Sequence, residues 1–165
     1  MIKSILNKYK TYIISSLIAL FVGIASALLT MKNMDISFLK QPPLSPPSFL
    51  FPTVWTVLYV LMGISAAKIF ERRRDFPDEV RNSLSTYASS LAVNFTWSII
   101  FFNFGAFFIA FVWIILLEFL IVKTITQYYR IDKSAALLQI PYAVWVLFAG
   151  YLISRQYQSF QALTF

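Results

Sequence analysis

The sequence predicts an all-α membrane protein, a five-transmembrane-helix bundle, and two observations carry the prediction. Of the 165 residues, 59% are hydrophobic and 13% charged, with a mean hydropathy of +0.70, which is far too apolar for a water-soluble domain. The apolar residues also fall into five long runs, without the strict alternation of barrel strands. Backbone groups in lipid must bond within their own segment, so each run predicts a helix.

Each run can cross a hydrocarbon core about 30 Å thick, which takes about 20 residues, with shorter runs tolerated. Three lysines precede the first run, as they often precede the hydrophobic core of a signal peptide. The run is too long for such a core, so it predicts a transmembrane helix that is not cleaved off. The third and fourth runs nearly touch, which predicts a tight antiparallel pair. The predicted spans of this single domain, 1–165, are about 12–31, 53–70, 87–104, 106–128 and 135–154.

The cationic residues predict the orientation of the bundle. Eleven of the 14 lysines and arginines lie in the N-terminal tail and in the loops after spans two and four. The positive-inside rule therefore places the N-terminus in the cytoplasm and the C-terminus outside, in a membrane that we expect to be a bacterial cell membrane. The formal charge of +7 favours anionic lipid headgroups over nucleic acid as the counter-ion.

The residue types that are missing exclude most catalytic chemistry. The chain has no cysteine and no histidine, which excludes thiol catalysis, disulfides, Cys/His zinc sites, His-ligated haem and Ser-His triads. No metal site and no required cofactor is expected. No acid–base pair is visible either, so conventional hydrolytic or transfer chemistry is not predicted.

Three predicted helices each carry a stripe of aromatic, small or polar residues at helical spacing. Residues at i, i+3 or i+4, and i+7 share one face of a helix. If the stripes converge, they line a flat-walled pocket that suits a large planar ligand. The stripes are Trp55, Tyr59 and Met62 in span two, Asn94, Trp97 and Phe101 in span three, and Trp145, Ala149 and Leu152 in span five.

Each stripe also has a plainer interpretation. Trp55 lies near the outer end of its span and fits an interfacial belt. Trp97 and Trp145 lie near mid-span, where an indole N–H needs a partner, so they favour a cavity or a neighbouring helix. Asn94 is either a ligand contact or an interhelical hydrogen bond. Trp113 in span four is expected to face lipid or a dimer partner.

Two further span residues and one loop leave alternatives open. Glu118 is an acidic residue deep in a span, and an ion pair with Lys68 or Lys123 is the expected explanation. Pro141 either bends span five beside Trp145 or is a first-turn proline. The segment 41–52 holds five of the seven prolines, so it is stiff and extended, and it is either a lid or a rigid connector.

Three blocks of sequence resemble the TspO/MBR family, whose members are also called translocator proteins, tryptophan-rich sensory proteins and peripheral-type benzodiazepine receptors. Residues 42–63, PPLSPPSFLFPTVWTVLYVLMG, are similar to a P-S-W-x-P-P loop followed by a V-W-x-x-L-Y-x-x-M-G helix. Residues 91–102 look like L-A-x-N-x-x-W-x-x-x-F-F, and residues 140–149 look like P-Y-x-x-W-x-x-F-A. The order of the blocks and their spread over three spans make the resemblance specific.

The resemblance implies a five-helix bundle, usually a homodimer, with a cavity that opens toward the first loop. The family's cavity binds porphyrins and haem-related tetrapyrroles, isoquinoline and benzodiazepine drugs, and in mitochondrial members cholesterol. Some bacterial members promote light- and oxygen-dependent porphyrin breakdown through two tryptophans, which match Trp55 and Trp145 as catalytic candidates. The ligand-binding candidates are Trp55, Tyr59, Asn94, Trp97, Phe101, Trp145, Phe148, Ala149, Pro42 and Leu44.

The chain departs from the family's pattern at a few positions. Leu44 stands where the loop tryptophan is expected, and Ile153 replaces an asparagine, which weakens ring contacts and removes a polar anchor. The expected function is a membrane tetrapyrrole-binding sensor or scavenger, with light-driven porphyrin breakdown as an open question. The alternative is a small transporter or a lipid or sterol carrier that uses the same cavity.

Overall fold

Five long helices make up the computed structural model, which describes residues 2–33 and 49–164, and side chains in the ranges 9–32 and 49–155 and at 158. A single 3₁₀ turn follows each of the first two helices, and a π turn, Ile99–Asn103, continues the third. The predicted all-α class is confirmed. The helices are α1 (Ile2–Thr30), α2 (Leu50–Glu71), α3 (Pro77–Ser98), α4 (Phe107–Ile131) and α5 (Lys133–Thr164).

Four of these helices are long and apolar enough to cross a membrane within the described ranges: Tyr9–Thr30, Leu50–Arg74, Phe107–Ile131 and Lys133–Arg155. The chain is thus a multi-pass membrane protein. The predicted third span, 87–104, does not pass this test of length and hydropathy, because α3 begins ten residues before it with polar sequence. Four of its hydroxyl and amide side chains are nevertheless buried in the bundle, namely Ser83, Thr86, Ser90 and Asn94, while Asn82, Ser85, Ser89 and Thr96 are exposed.

The helices pack in the order α1, α2, α5, α4, α3, and α3 returns to contact α1. Small residues permit the closest approach, because helices in lipid associate through packing rather than through a hydrophobic driving force. A methyl group at Gly63 would meet the backbone of Ser16 at 2.3 Å. Helix α1 therefore lies directly on α2, and its remaining apolar surface, such as Phe21 at 71% exposed, faces outward.

The predicted tight pair of α3 and α4 is confirmed, and Gly105 forms the turn between them. Its φ of 58° lies in the left-handed region that favours glycine. The amide of Ala106 bonds back to the carbonyl of Ile100 at 3.4 Å. The amide of Asn103 donates to the carbonyl of Leu29 at 3.3 Å, which joins the turn to the end of α1.

Polar contacts join the helices at the opposite end, which we call the Asp132 end. Arg72 pairs with Asp132 at 3.5 Å. Lys68 donates to Ser134 Oγ at 3.0 Å, and Tyr12 donates to Glu71 at 2.6 Å. These contacts connect α1, α2 and the α4–α5 turn around a small polar concavity.

Asp132 caps α5, and its removal is expected to cost about 1 kcal/mol of stability. Its Oδ1 accepts from the Ser134 amide at 2.9 Å and from the Ala135 amide at 3.1 Å. Partial burial acts to raise the pKa of Asp132, but the hydrogen bonds from Ser134 and Ala135 and the charge of Lys68 outweigh it and hold this pKa below its usual value. The stabilisation is therefore complete at neutral pH and is lost as the pH falls from about 3.9 through the lowered value.

Thermal unfolding of Asp132→Ala and Asp132→Asn in detergent, at neutral and acidic pH, measures this contribution. Asparagine keeps a capping oxygen and loses the charge. We expect Asp132→Asn to stay close to wild type at neutral pH and to lose the acid dependence that comes from this carboxylate. An Asp132→Ala chain as stable as wild type would contradict the cap.

Candidate aromatic ligand site

Aromatic side chains of α2 and α5 interdigitate near the start of α2. The rings of Trp55 and Tyr142 meet edge to face with centroids 6.2 Å apart, and Phe51 meets Trp145 in the same way at 5.6 Å. The two helices run antiparallel, so successive turns of α2 meet earlier turns of α5. Trp55 and Trp145 therefore lie on one interface, both partly buried against the core.

Both tryptophans extend this cluster along their own helices. The rings of Trp55 and Tyr59 lie 5.6 Å apart at 31°, and those of Trp145 and Phe148 lie 5.6 Å apart at 47°. Ala149 is buried next to them in sequence, at 8% exposed. The predicted stripes of α2 and α5 thus face each other.

A second aromatic cluster lies at the end of α3. Trp97 stacks on Phe101 with centroids 5.3 Å apart and planes 18° apart. Phe102 also meets the Trp97 ring, at 6.3 Å, and Phe107 of α4 meets Phe101 at 5.6 Å. The π turn allows two successive phenylalanines to contact one indole, and π turns often occur at functional sites.

One interhelical hydrogen bond connects the two clusters. The Asn94 amide donates to the Tyr59 hydroxyl at 3.2 Å, and both side chains are buried. The Tyr59 ring occupies the space beside Gly23, where a methyl group would lie 2.2 Å from a ring carbon. Of the two interpretations of Asn94, the helix–helix hydrogen bond is present, and its contact with a ligand stays a prediction.

Several polar atoms of these clusters are buried without a hydrogen-bond partner among the described residues. They include the indole nitrogens of Trp97 and Trp145 and the hydroxyl of Tyr142. A buried donor without a partner costs free energy, typically about 1–3 kcal/mol. Such donors are suited to a ligand that carries acceptor groups.

The family assignment follows from sequence comparison. A profile of the TspO/MBR family matches residues 15–157, which span α2, α3 and α4 and parts of α1 and α5. This chain belongs to the TspO/MBR family.

Similar TspO/MBR proteins come from bacteria, archaea and mammals. The tryptophan-rich protein TspO of Chlorobaculum tepidum is 36% identical over 137 residues, 82% of this chain and 86% of the relative. The protein of the same name from Archaeoglobus fulgidus is 34% identical over 140 residues, 84% of this chain and 89% of the relative. The translocator protein of Bos taurus is 32% identical over 123 residues, 74% of this chain and 73% of the relative.

The first-loop candidates of this TspO/MBR chain, Pro42 and Leu44, lie outside the described residues. Their contact with a ligand stays a prediction, as does the choice between a lid and a rigid connector for the proline-rich segment.

Of two expectations about other span residues of this TspO/MBR chain, the one about Glu118 was wrong. That Trp113 faces lipid or a dimer partner stays a prediction, and its indole N–H also donates to the Thr96 hydroxyl at 3.0 Å, which joins α4 to α3. Glu118 makes no ion pair, since the salt bridge within the described part of the chain joins Arg72 and Asp132. Lys123 lies five residues from Glu118, on another face of α4.

One of the two interpretations of Pro141, that of a first-turn proline, is excluded. Helix α5 begins at Lys133, so this proline lies inside the helix rather than in its first turn. An interior proline leaves a carbonyl one turn earlier without its amide partner.

Two aromatic residues of the α2–α5 interface, Phe51 and Tyr142, were not among the predicted site residues. Phe51 precedes Trp55 by four residues, and Tyr142 precedes Trp145 by three. Extending each stripe by one helical turn toward the N-terminus would have found both.

Proposed function

We propose that this TspO/MBR chain binds a porphyrin or a haem-related tetrapyrrole in the membrane and acts as a sensor or scavenger of it. The observation that carries the proposal is the position of Trp55 and Trp145 on one α2–α5 interface, where Trp55 contacts Tyr142 and Trp145 contacts Phe51. Two indoles on facing helices offer flat apolar surfaces to a planar macrocycle. Their partial exposure leaves part of each ring available for contact.

The polar groups of the site match the chemistry of a tetrapyrrole. A porphyrin is a wide apolar plane with acceptor groups at its edge, the propionate carboxylates. The indole N–H of Trp145 is a buried donor without a partner among the described side chains. A few convergent donors in an aromatic pocket fix the orientation of a ligand.

The membrane arrangement that accompanies this function is a bundle of five spans. Several polar side chains of α3 are turned into the bundle, which lowers the cost for α3 to cross lipid in spite of its low hydropathy. The N-terminus and the Asp132 end, with Lys68 and the arginines after α2, lie in the cytoplasm of a bacterial cell, and the C-terminus lies outside. Two copies form a homodimer through their outer apolar faces.

Titration of tryptophan emission with protoporphyrin IX tests the proposed binding. We expect saturable quenching in the wild type and a smaller quenched fraction with weaker binding in Trp145→Phe, because this change removes a stacking surface and an N–H donor. Trp113→Phe is the matched control, since its indole is bonded to Thr96 away from the α2–α5 interface. Equal binding by wild type and Trp145→Phe would remove Trp145 from the site, and the absence of quenching would refute the function.

A carrier function is the second candidate, since several relatives bear the name translocator protein. Proteoliposomes distinguish it from a binding module. Saturable flux of a porphyrin or a sterol through the reconstituted protein would favour transport, whereas quenching without flux would favour binding alone.

A further inference from the structure

Helix α1 carries a line of small residues on the side that packs on the bundle. They follow one another at spacings of three and four, so they share one face of the helix. The line consists of Ser16, Ala19, Gly23, Ser26 and Thr30, all buried or partly buried. Gly23 is the member without a Cβ, so the surface of α1 has a notch at this position.

The Tyr59 ring of α2 occupies the notch at Gly23. A methyl group at position 23 would overlap Tyr59 Cε2, and it would lie 2.6 Å from Cδ2 and 2.9 Å from Cζ. Carbon atoms that are not bonded to each other pack at about 3.5–4.0 Å. A Cβ at position 23 and the present position of the Tyr59 ring therefore exclude each other.

The Tyr59 side chain is also held by neighbours away from α1. Its hydroxyl accepts a hydrogen bond from the Asn94 amide at 3.2 Å. Its ring lies 5.6 Å from that of Trp55, with an angle of 31° between the planes. The side chain is only 7% exposed, so a ring pushed away from Gly23 has to displace its neighbours, among them the Trp55 indole.

We propose that Gly23 is a positioning residue of the Trp55 site. The space that it leaves on α1 holds the Tyr59 ring clear of the Trp55 surface on which the planar ligand stacks. Gly23 thus acts through Tyr59, and Tyr59 acts on Trp55. The inference rests on the proposed function, because it concerns the access of a wide planar ligand to this indole.

A plainer role for Gly23 would be to let α1 pack closely on α2, as Gly63 does. At Gly63 the closest contacts of an added Cβ are backbone atoms of Ser16, so two helices have to separate. At Gly23 the three closest atoms all belong to the Tyr59 ring. A Cβ there is accommodated by moving one side chain, so the two glycines predict different consequences when each is replaced by alanine.

Fluorine NMR of the full chain with 5-fluorotryptophan, reconstituted in nanodiscs, measures the surroundings of Trp55 without any ligand. The chain has four tryptophans, and the resonance lost in Trp55→Phe assigns Trp55. We expect Gly23→Ala to shift this resonance and to leave that of Trp113, which is bonded to Thr96, unchanged. In a Tyr59→Ala background, Gly23→Ala should leave the Trp55 resonance where Tyr59→Ala alone places it.

Titration with protoporphyrin IX measures the consequence for binding. We expect a several-fold higher Kd for Gly23→Ala than for wild type, and equal Kd values for Tyr59→Ala with and without Gly23→Ala, because the ring that transmits the effect is absent. Gly150→Ala is the matched control, since its Cβ would meet the Ile114 side chain, and it should keep the wild-type Kd and Trp55 resonance. If Gly23→Ala lowers the melting temperature, the Tyr59→Ala pair still tests the coupling, because both of its members lack the crowded ring.

A Trp55 resonance that Gly23→Ala leaves unmoved would overturn the inference, and so would a shift of equal size that persists in the Tyr59→Ala background. An unchanged Kd in Gly23→Ala, beside saturable binding by wild type, would overturn it as well. A wild type that shows no quenching by protoporphyrin IX, together with a Trp55 shift that requires the Tyr59 ring, would uphold the positioning of Trp55 by Gly23 and instead refute the proposed function.

Discussion

Replacing Gly63 by alanine is expected to force α1 and α2 apart and to destabilise the bundle. The new Cβ would lie 2.3 Å from Ser16 Cα and 2.6 Å from Ser16 N, which are both backbone atoms. No rotamer change can relieve such a contact, so a whole helix has to move. Overpacking of this kind typically costs 1–3 kcal/mol and sometimes more, against a gain of up to about 1 kcal/mol from replacing a helical glycine by alanine.

Thermal unfolding in detergent, followed by circular dichroism, measures the change. Gly150→Ala is the matched control, because its Cβ would meet only the Ile114 side chain, at 3.2 Å. We expect Gly150→Ala to stay near the wild-type melting temperature and Gly63→Ala to fall well below it. Adding Ser16→Gly should not rescue Gly63→Ala, since the closest contacts are with the backbone. Equal stability of the two alanine variants would contradict the close helix approach.

The double variant Trp55→Phe/Trp145→Phe is expected to bind porphyrin more weakly but still measurably, and to abolish light-driven loss of the bound porphyrin. Phenylalanine retains an aromatic surface at both positions, so the α2–α5 contacts with Tyr142 and Phe51 are largely preserved. The indoles, however, are the groups that can intercept an excited porphyrin or the oxygen species it makes. Their removal leaves the bound ligand without an indole donor at the α2–α5 interface.

The measurement is loss of the Soret band of protoporphyrin IX under illumination, with and without dioxygen, alongside a binding titration of each variant. Trp113→Phe is the control, since its indole is bonded to Thr96 outside the α2–α5 cluster of Trp55 and Trp145. This control should bleach porphyrin at the wild-type rate. Soret loss that continues unchanged in the double variant would exclude the two tryptophans from the photochemistry.

Much of the local structure could be read from the sequence. Hydropathy predicted the all-α class and the four described helices that are long and apolar enough to span a membrane. The short link at Gly105 predicted the tight α3–α4 pair. The faces of α2 and α5 that carry Trp55 and Trp145 followed from helical periodicity. These features depend on residues close together in the chain, where spacing alone determines which side chains share a face.

The tertiary contacts could not be predicted in the same way. The bond from Trp113 to Thr96 was not predicted, and Glu118 forms no ion pair with Lys68 or Lys123 within the described ranges. Helical periodicity also does not determine which ring of α5 meets Trp55, or that Ser83, Thr86 and Ser90 of α3 are buried in the bundle. Each of these depends on the rotation and height of one helix relative to another.

The sequence by itself determined the helices, the membrane class, the TspO/MBR resemblance and the residues that share each helix face. Only the tertiary structure decided which faces meet, and so placed Trp55, Trp145 and Tyr142 on one α2–α5 interface. The physical reason is that a helix in lipid is apolar nearly all round, so hydropathy does not distinguish the buried face from the lipid-facing one. Close packing at small residues such as Gly63 determines which face of a helix is buried.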